Sequence, residues 1–217
     1  MWLYHLLPSA TFWCVAGGLH LFGVNRSYTG KITVKQMIST QLMLDILHFV
    51  SLSIYGLFNN SKFFRWKFFL CGCMLLECIE YFAHRFLHEF CFEVHAQHHD
   101  LGGVHTLGTF YNDIRELLFT GTLISCVLIG ILGLTVPELS CTFCIAVVFN
   151  IYDHWPEKST ENRLSRHQIH HLYHKTDFGQ PFSPLLDYVF KTRWQDNFII
   201  KKMVLAKENK TKWGFNN

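Results

Sequence analysis

A chain of 217 residues is the size of one ordinary domain. Half of its residues are hydrophobic, 16% are charged, 21 are phenylalanine and the mean hydropathy is +0.16, values that lean away from a soluble domain and toward a bilayer. The net charge of +3 is small and arises mainly in residues 157–217, with eleven Lys or Arg against six Asp or Glu, so nothing implies a nucleic-acid partner.

The first apolar segment, residues 2–22, is interrupted by Pro8 and Gly17-Gly18. It lacks the basic start and small-residue cleavage site of a signal peptide and is read as an uncleaved span or an interfacial helix. A polar loop with Arg26, Lys31 and Lys35 follows. The second segment, 37–58, carries Asp45 and His48 three residues apart, either a pair bonded to each other or groups near a site. The third, 63–83, runs without a break into His84. Glu77 and Glu80 lie one to two turns before His84, where a carboxylate can orient an imidazole or pair with Arg85. After the polar stretch 100–113, segments 117–136 and 139–152 flank Pro137 and read as a helical hairpin. Six of the eight cysteines fall within apolar runs, as reduced thiols in helix packing do, and Cys71-x-Cys73 lacks a zinc spacing.

The expected fold is thus an all-α integral membrane protein with about four to five transmembrane helices and a histidine-rich helical cap. Residues 1–62 form the N-terminal spans, 63–195 the unit that carries the histidine clusters and 196–217 a basic tail that lies along the membrane or in solvent. The turn at Pro137 returns the fifth segment to the face from which the fourth came. His84–His99 and His154–His174 therefore fall on one side of the bilayer. The basic tail makes that side cytoplasmic, with Lys62, Arg65 and Lys67 dissenting. Asn25, Asn59 and Asn209 match the glycosylation pattern, and only Asn59 falls on the lumenal side of this topology.

Fourteen histidines are present, and their spacing is the strongest signal in the chain. His84 and His88 stand four apart and share one helix face. His95, His98 and His99 repeat spacings of three and four, and so do His167, His170 and His171. With His154 these nine have metal-ligand spacing, His174 one turn further on is a tenth, and imidazole suits transition metals, zinc among them. His5, His20 and His105 have no such partners and read as packing or surface groups. Glu80, Asn150, Asp153 and Asp187 are placed to support the ligands.

H84-R-F-L-H88, H95-A-Q-H98-H99 and H167-Q-I-H170-H171, with Phe178-Gly179 and the ending L186-D-Y-V-F-K-T192, resemble the boxes and tail of the membrane-bound fatty acid hydroxylase and sterol desaturase superfamily. The resemblance covers roughly residues 65–195. It implies a di-iron, O2-dependent oxidoreductase acting on a fatty acyl, sphingolipid or sterol substrate of the membrane, hydroxylation being favoured over desaturation. It further implies two Fe ions (zinc in isolated protein), electrons from cytochrome b5 and its reductase, and an endoplasmic reticulum location. No H-P-G-G haem motif is present, so the donor is expected to be a separate protein. Asn150 stands where several members have a ligand histidine, Leu186 where tryptophan is usual and Lys191 where glycine is usual. Two rivals stay open: an inactive member thinned at Asn150, and a non-catalytic metal-handling membrane protein. Transporters usually hold ions at the bilayer midplane on broken helices, whereas these clusters lie at helix ends.

Overall fold

The computed structural model describes residues 2–23, 31–59, 61, 63–101, 104–155, 165–179 and 184–212. Asn25, Arg26 and Lys62 lie outside them. The described residues are helical, without strands. A first helical run comprises α1 (Trp2–Phe12), a π-helical turn (Trp13–Gly17) and α2 (Gly18–Leu21), followed by α3 (Val34–Phe58), α4 (Trp66–Phe90) and α5 (Phe92–His99). A 3-10 turn (Thr106–Gly108) leads to α6 (Ile114–Leu132), α7 (Val136–Asp153) and α8 (Arg166–Leu172). The chain then forms α9 (Leu185–Val189), a second 3-10 turn (Trp194–Asp196) and α10 (Phe198–Lys212).

Local chemistry sets these boundaries. Thr33 and Gln36 form a reciprocal capping box that starts α3, satisfying two of the amide donors a helix leaves unpaired at its N-terminus. The Asp113 carboxylate accepts the Arg115 amide at 2.8 Å and starts α6. Gly133, at φ 55°, ends α6 in the left-handed conformation that glycine tolerates. Thr135 and Glu138 cap α7, with Pro137 in its first turn where a missing N–H costs nothing. The predicted hairpin is therefore α6 and α7, and α7 reaches Asp153 with His154 as its C-cap.

Leu52, Leu76, Leu128, Leu134, Leu139 and Phe143 form one buried cluster between α3, α4, α6 and α7. A second joins the first helical run to α7 through Phe12, Ala16, Met37, Val147 and Ile151. At Gly72 an added Cβ would meet Leu134 Cδ1 at 3.0 Å and Thr142 Oγ1 at 3.3 Å, so this glycine lets α4 lie close against α7 and the turn before it.

α3, α6 and α7 are each long and apolar enough to cross a membrane. Their outward residues are large and apolar, with Ile46 64%, Leu57 75% and Ile131 68% exposed, which suits hydrocarbon and not water. α4 matches α3 at 25 residues but contains Lys67, Glu77 and Glu80. The first helical run lies alongside α7. Asp45 does not bond His48: its carboxylate accepts Trp13 Nε1 at 2.7 Å and Gln41 Nε2 at 2.8 Å. His48 instead stacks on Phe143.

Candidate metal centre

α4 runs past its apolar part, so His84 and His88 project from its final turns. Cys91, at φ −139° and ψ 41°, breaks the helix, and α5 brings back His95, His98 and His99, all buried. His154 caps α7. Ser165 accepts the Gln168 amide at 3.1 Å and starts α8, which presents buried His167, His170 and His171.

These nine rings form two groups able to hold a metal ion, the ligand atoms within each group lying within 4.8 Å of one another. The first contains His84, His88, His95, His99 and His170, and the second His98, His154, His167 and His171. Each H-x2-H-H run is split between them. His95 and His99, four apart, enter the first group and His98 the second; His167 and His171 enter the second and His170 the first. Spacings of three and four point along slightly different directions from one helix, so one turn can serve two neighbouring centres.

Nε2 atoms converge. His84 Nε2 lies 3.1 Å from His95 Nε2 and 3.2 Å from His88 Nε2, and His99 Nε2 lies 3.2 Å from His88 Nε2. In the second group His154 Nε2 lies 3.2 Å from His98 Nε2 and 2.9 Å from His167 Nε2, which lies 3.0 Å from His171 Nε2. The opposite ring edges identify the tautomer. His84 Nδ1 donates to the Phe178 carbonyl at 2.9 Å, His154 Nδ1 to the Asn150 carbonyl at 2.9 Å and His170 Nδ1 to the Thr176 carbonyl at 2.6 Å. A carbonyl only accepts, so Nδ1 holds the proton and Nε2 turns a lone pair inward. His95 Nδ1 faces Glu116 Oε1 at 2.9 Å with the same result. Burial, reinforced by neighbouring imidazoles, pushes His95, His98, His99, His167, His170 and His171 below their ordinary pKa and keeps them neutral. Converging lone pairs on neutral rings repel one another unless a cation stands between them. The donor set fits a metal pair.

The supporting residues divide differently from the expectation. Asp187, fully buried, accepts the amides of Phe178 and Gly179 at 2.8 Å each and the Thr192 hydroxyl at 2.7 Å. It therefore fixes the strand of backbone whose Phe178 carbonyl holds His84. The Phe-Gly pair and the Asp-to-Thr ending are one hydrogen-bonded unit. Glu80 lines the cavity beside His84 and Asn150, and the ring nitrogens of His84 meet the Phe178 carbonyl and His95 instead. Asp153 is buried beside the C-terminus of α7. Asn150 leaves the second group with four members where the first has five, and its own carbonyl orients His154. His174, expected as a tenth member, lies outside both groups: its Nε2 faces the His171 carbonyl at 3.0 Å and its ring packs 4.1 Å from that of His99. His20 and His105 pack ring against ring at 5.6 Å, and His5 Nδ1 meets the Ser53 hydroxyl at 3.1 Å.

Sequence reasoning missed Glu116 and Asn112. Asn112 Nδ2 donates to Glu116 Oε1 at 3.0 Å, so both residues at the start of α6 support the ring of His95. The only signal was their spacing of four around a helix start. A cavity of about 140 Å³ adjoins the cluster, lined by His84, His95, His98 and His154 together with Glu80, Glu116, Asn150 and the apolar side chains of Leu87, Phe143 and Ala146.

Helices long and apolar enough to cross a membrane thus carry a buried histidine cluster in two groups, each able to hold a metal ion. The chain belongs to the fatty acid hydroxylase family, which matches residues 69–192. It is 27% identical over 147 residues to a very-long-chain aldehyde decarbonylase of Oryza sativa subsp. indica, covering 62% of this chain and 57% of the relative. It is 27% identical over 137 residues to sphinganine C4-monooxygenase 1 of Arabidopsis thaliana, covering 57% of this chain and 53% of the relative. The chain thus spans about half the length of the curated relatives it matches. No solved structure matches it significantly.

Proposed function

We propose that this chain is an O2-dependent lipid hydroxylase of the membrane whose nine converging histidines hold two iron ions. The observation that carries the reading is the inward direction of the Nε2 lone pairs in two adjoining groups, enforced by acceptors behind the rings. Two irons bound there supply the activation of dioxygen that breaking an alkyl C–H bond requires and side chains lack. The residues do the rest. Phe178, Thr176 and Asn150 carbonyls and the Glu116 carboxylate hold the Nδ1 protons and the ring directions. Leu87, Phe143 and Ala146 give the adjoining cavity an apolar wall that suits an alkyl segment and keeps bulk water away.

The catalytic unit is residues 63–195, and the substrate is a fatty acyl chain, sphingolipid or sterol. The sphinganine C4-monooxygenase likeness supports hydroxylation over desaturation. The aldehyde decarbonylase likeness favours a second reading, in which a long-chain aldehyde is the substrate of the same centre. Electrons come from cytochrome b5 and its reductase, and the cluster faces the cytoplasm of the endoplasmic reticulum. Arg65, which argues for the opposite orientation, is held by the Glu138 carboxylate at 2.7 Å.

Metal content and lipid products are measured together on wild type and His98→Ala in a membrane host supplying the reductant. About two irons per chain and an oxygenated lipid absent from the variant are expected. Zinc alone with no oxygen-dependent product, even with iron and reductant supplied, would sink the reading.

A further inference from the structure

The cavity beside the histidines is small. At about 140 Å³ it falls below the ~300–1,000 Å³ of pockets that enclose drug-sized ligands, so the body of a long lipid chain has to lie elsewhere. A second space, about 480 Å³, runs along the outer faces of α4 and α6. Leu75, Ile79, Phe82 and Phe86 supply one side at helical spacing, and Phe119 and Leu123 the other. All are apolar. Phe86 and Phe119 face each other across the two helices with ring centroids 6.2 Å apart.

The two spaces are neighbours. Ala83, on α4, lines both. On α6 the inner wall contains Gly121, where an added Cβ would meet nothing within 4 Å. Ala83 and Gly121 leave the wall without a bulky side chain at these two positions on α4 and α6, and His84 follows Ala83 directly.

We propose that the α4–α6 groove is the hydrocarbon-binding site and bilayer port of the inner cavity. An alkyl chain of a membrane lipid lies along Leu75, Ile79 and Phe82, passes between Ala83 and Gly121, and presents one segment to the histidine cluster. The assignment rests on the lipid-oxidising reading above. A headgroup cannot occupy this apolar groove without stranding its polar atoms, so the occupant is a hydrocarbon chain.

Photolabelling tests the port without turnover. Wild-type protein in phosphatidylcholine vesicles is loaded with metal and given two C16 alcohols, one with a diazirine at the chain end and one with it at mid-chain. Labelled residues are mapped by mass spectrometry. The chain-end probe is expected on 75–86 and 119–127, and the mid-chain probe also on Leu117, Thr120 or Ile124 of the inner wall. Gly121→Phe is expected to cut inner-wall labelling at least tenfold, leaving the groove labelled and metal content unchanged. Leu123→Trp, on the groove side, is expected to cut both. Inner-wall labelling that survives both variants, or a wild-type groove that takes no label, would overturn the port. If Gly121→Phe loses its metal, Leu123→Trp and the wild-type map decide. A wild type that labels as expected but makes no oxygenated lipid counts against the hydroxylase reading and not against the port.

Discussion

Asp187 holds Phe178: the carboxylate accepts the Phe178 amide at 2.8 Å, and the carbonyl of the same residue accepts His84 Nδ1–H at 2.9 Å. A carboxylate outside both histidine groups thus sets the angle of a ring within one of them. Asp187→Asn retains the volume but turns one accepting oxygen into a donor facing an amide. We expect the first group to bind metal ~10–100-fold more weakly, with the second less affected. Stepwise metal titration of the apoprotein, read against wild type, measures the two classes separately.

Glu116→Gln and Glu116→Ala grade the carboxylate behind His95. The glutamine keeps an acceptor for Nδ1, so metal content is expected to be nearly retained. The alanine leaves a buried Nδ1–H without its acceptor, and a loss of about 1–3 kcal/mol in stability accompanies weaker metal binding. Thermal melts and metal analysis of both variants supply the comparison.

His174→Ala should keep the full metal complement, because His174 Nε2 faces the His171 carbonyl and not a shared centre. His99→Ala and His171→Ala, one from each group, should each lose metal. Equal loss in all three would place His174 among the ligands.

Acid should destabilise the apoprotein from one side of neutrality. The buried rings of α5 and α8 have folded pKa values below their unfolded value of about 6.5. The unfolded chain therefore takes up protons below about pH 6.5 that the folded chain does not. The stability these neutral rings allow is present above that pH and falls as pH drops. Melting temperatures in detergent from pH 8 to 5 should decline below about 6.5 and stay level above it. Bound metal should flatten the decline until it is itself released.

Lys191 adopts φ 55°, the left-handed region, at the position where the family ending usually has glycine. Lys191→Gly removes that cost while adding freedom to the unfolded chain, for a net gain of ~0.5–1 kcal/mol. A raised melting temperature with unchanged metal content is the expected result.

Much of this arrangement was legible in the residue order. The boxes were visible because ligand spacing follows helix geometry, and the hairpin because Pro137 interrupts the apolar run, whereas Gly133 and Thr135 as the ends of the turn emerged only in the structure. The division of each box between two groups was not, since it depends on how α5 and α8 face each other across residues far apart in the chain. Nor could the acceptors for His84 and His170 be read, because the Phe178 and Thr176 carbonyls belong to the backbone and leave no side-chain signature. Glu80 stands one turn before His84, yet the acceptor behind His84 Nδ1 is a backbone carbonyl ninety-four residues further along the chain.

The order of the chain adds a constraint in time. All nine histidines precede Asp187 and Thr192 in the sequence, yet the Phe178 backbone whose carbonyl stands behind His84 is bonded to Asp187, which Thr192 bonds in turn. A chain emerging from the ribosome therefore exposes every ligand before it contains the carboxylate that aims one of them. The first group is expected to reach its full affinity only once synthesis has passed Thr192.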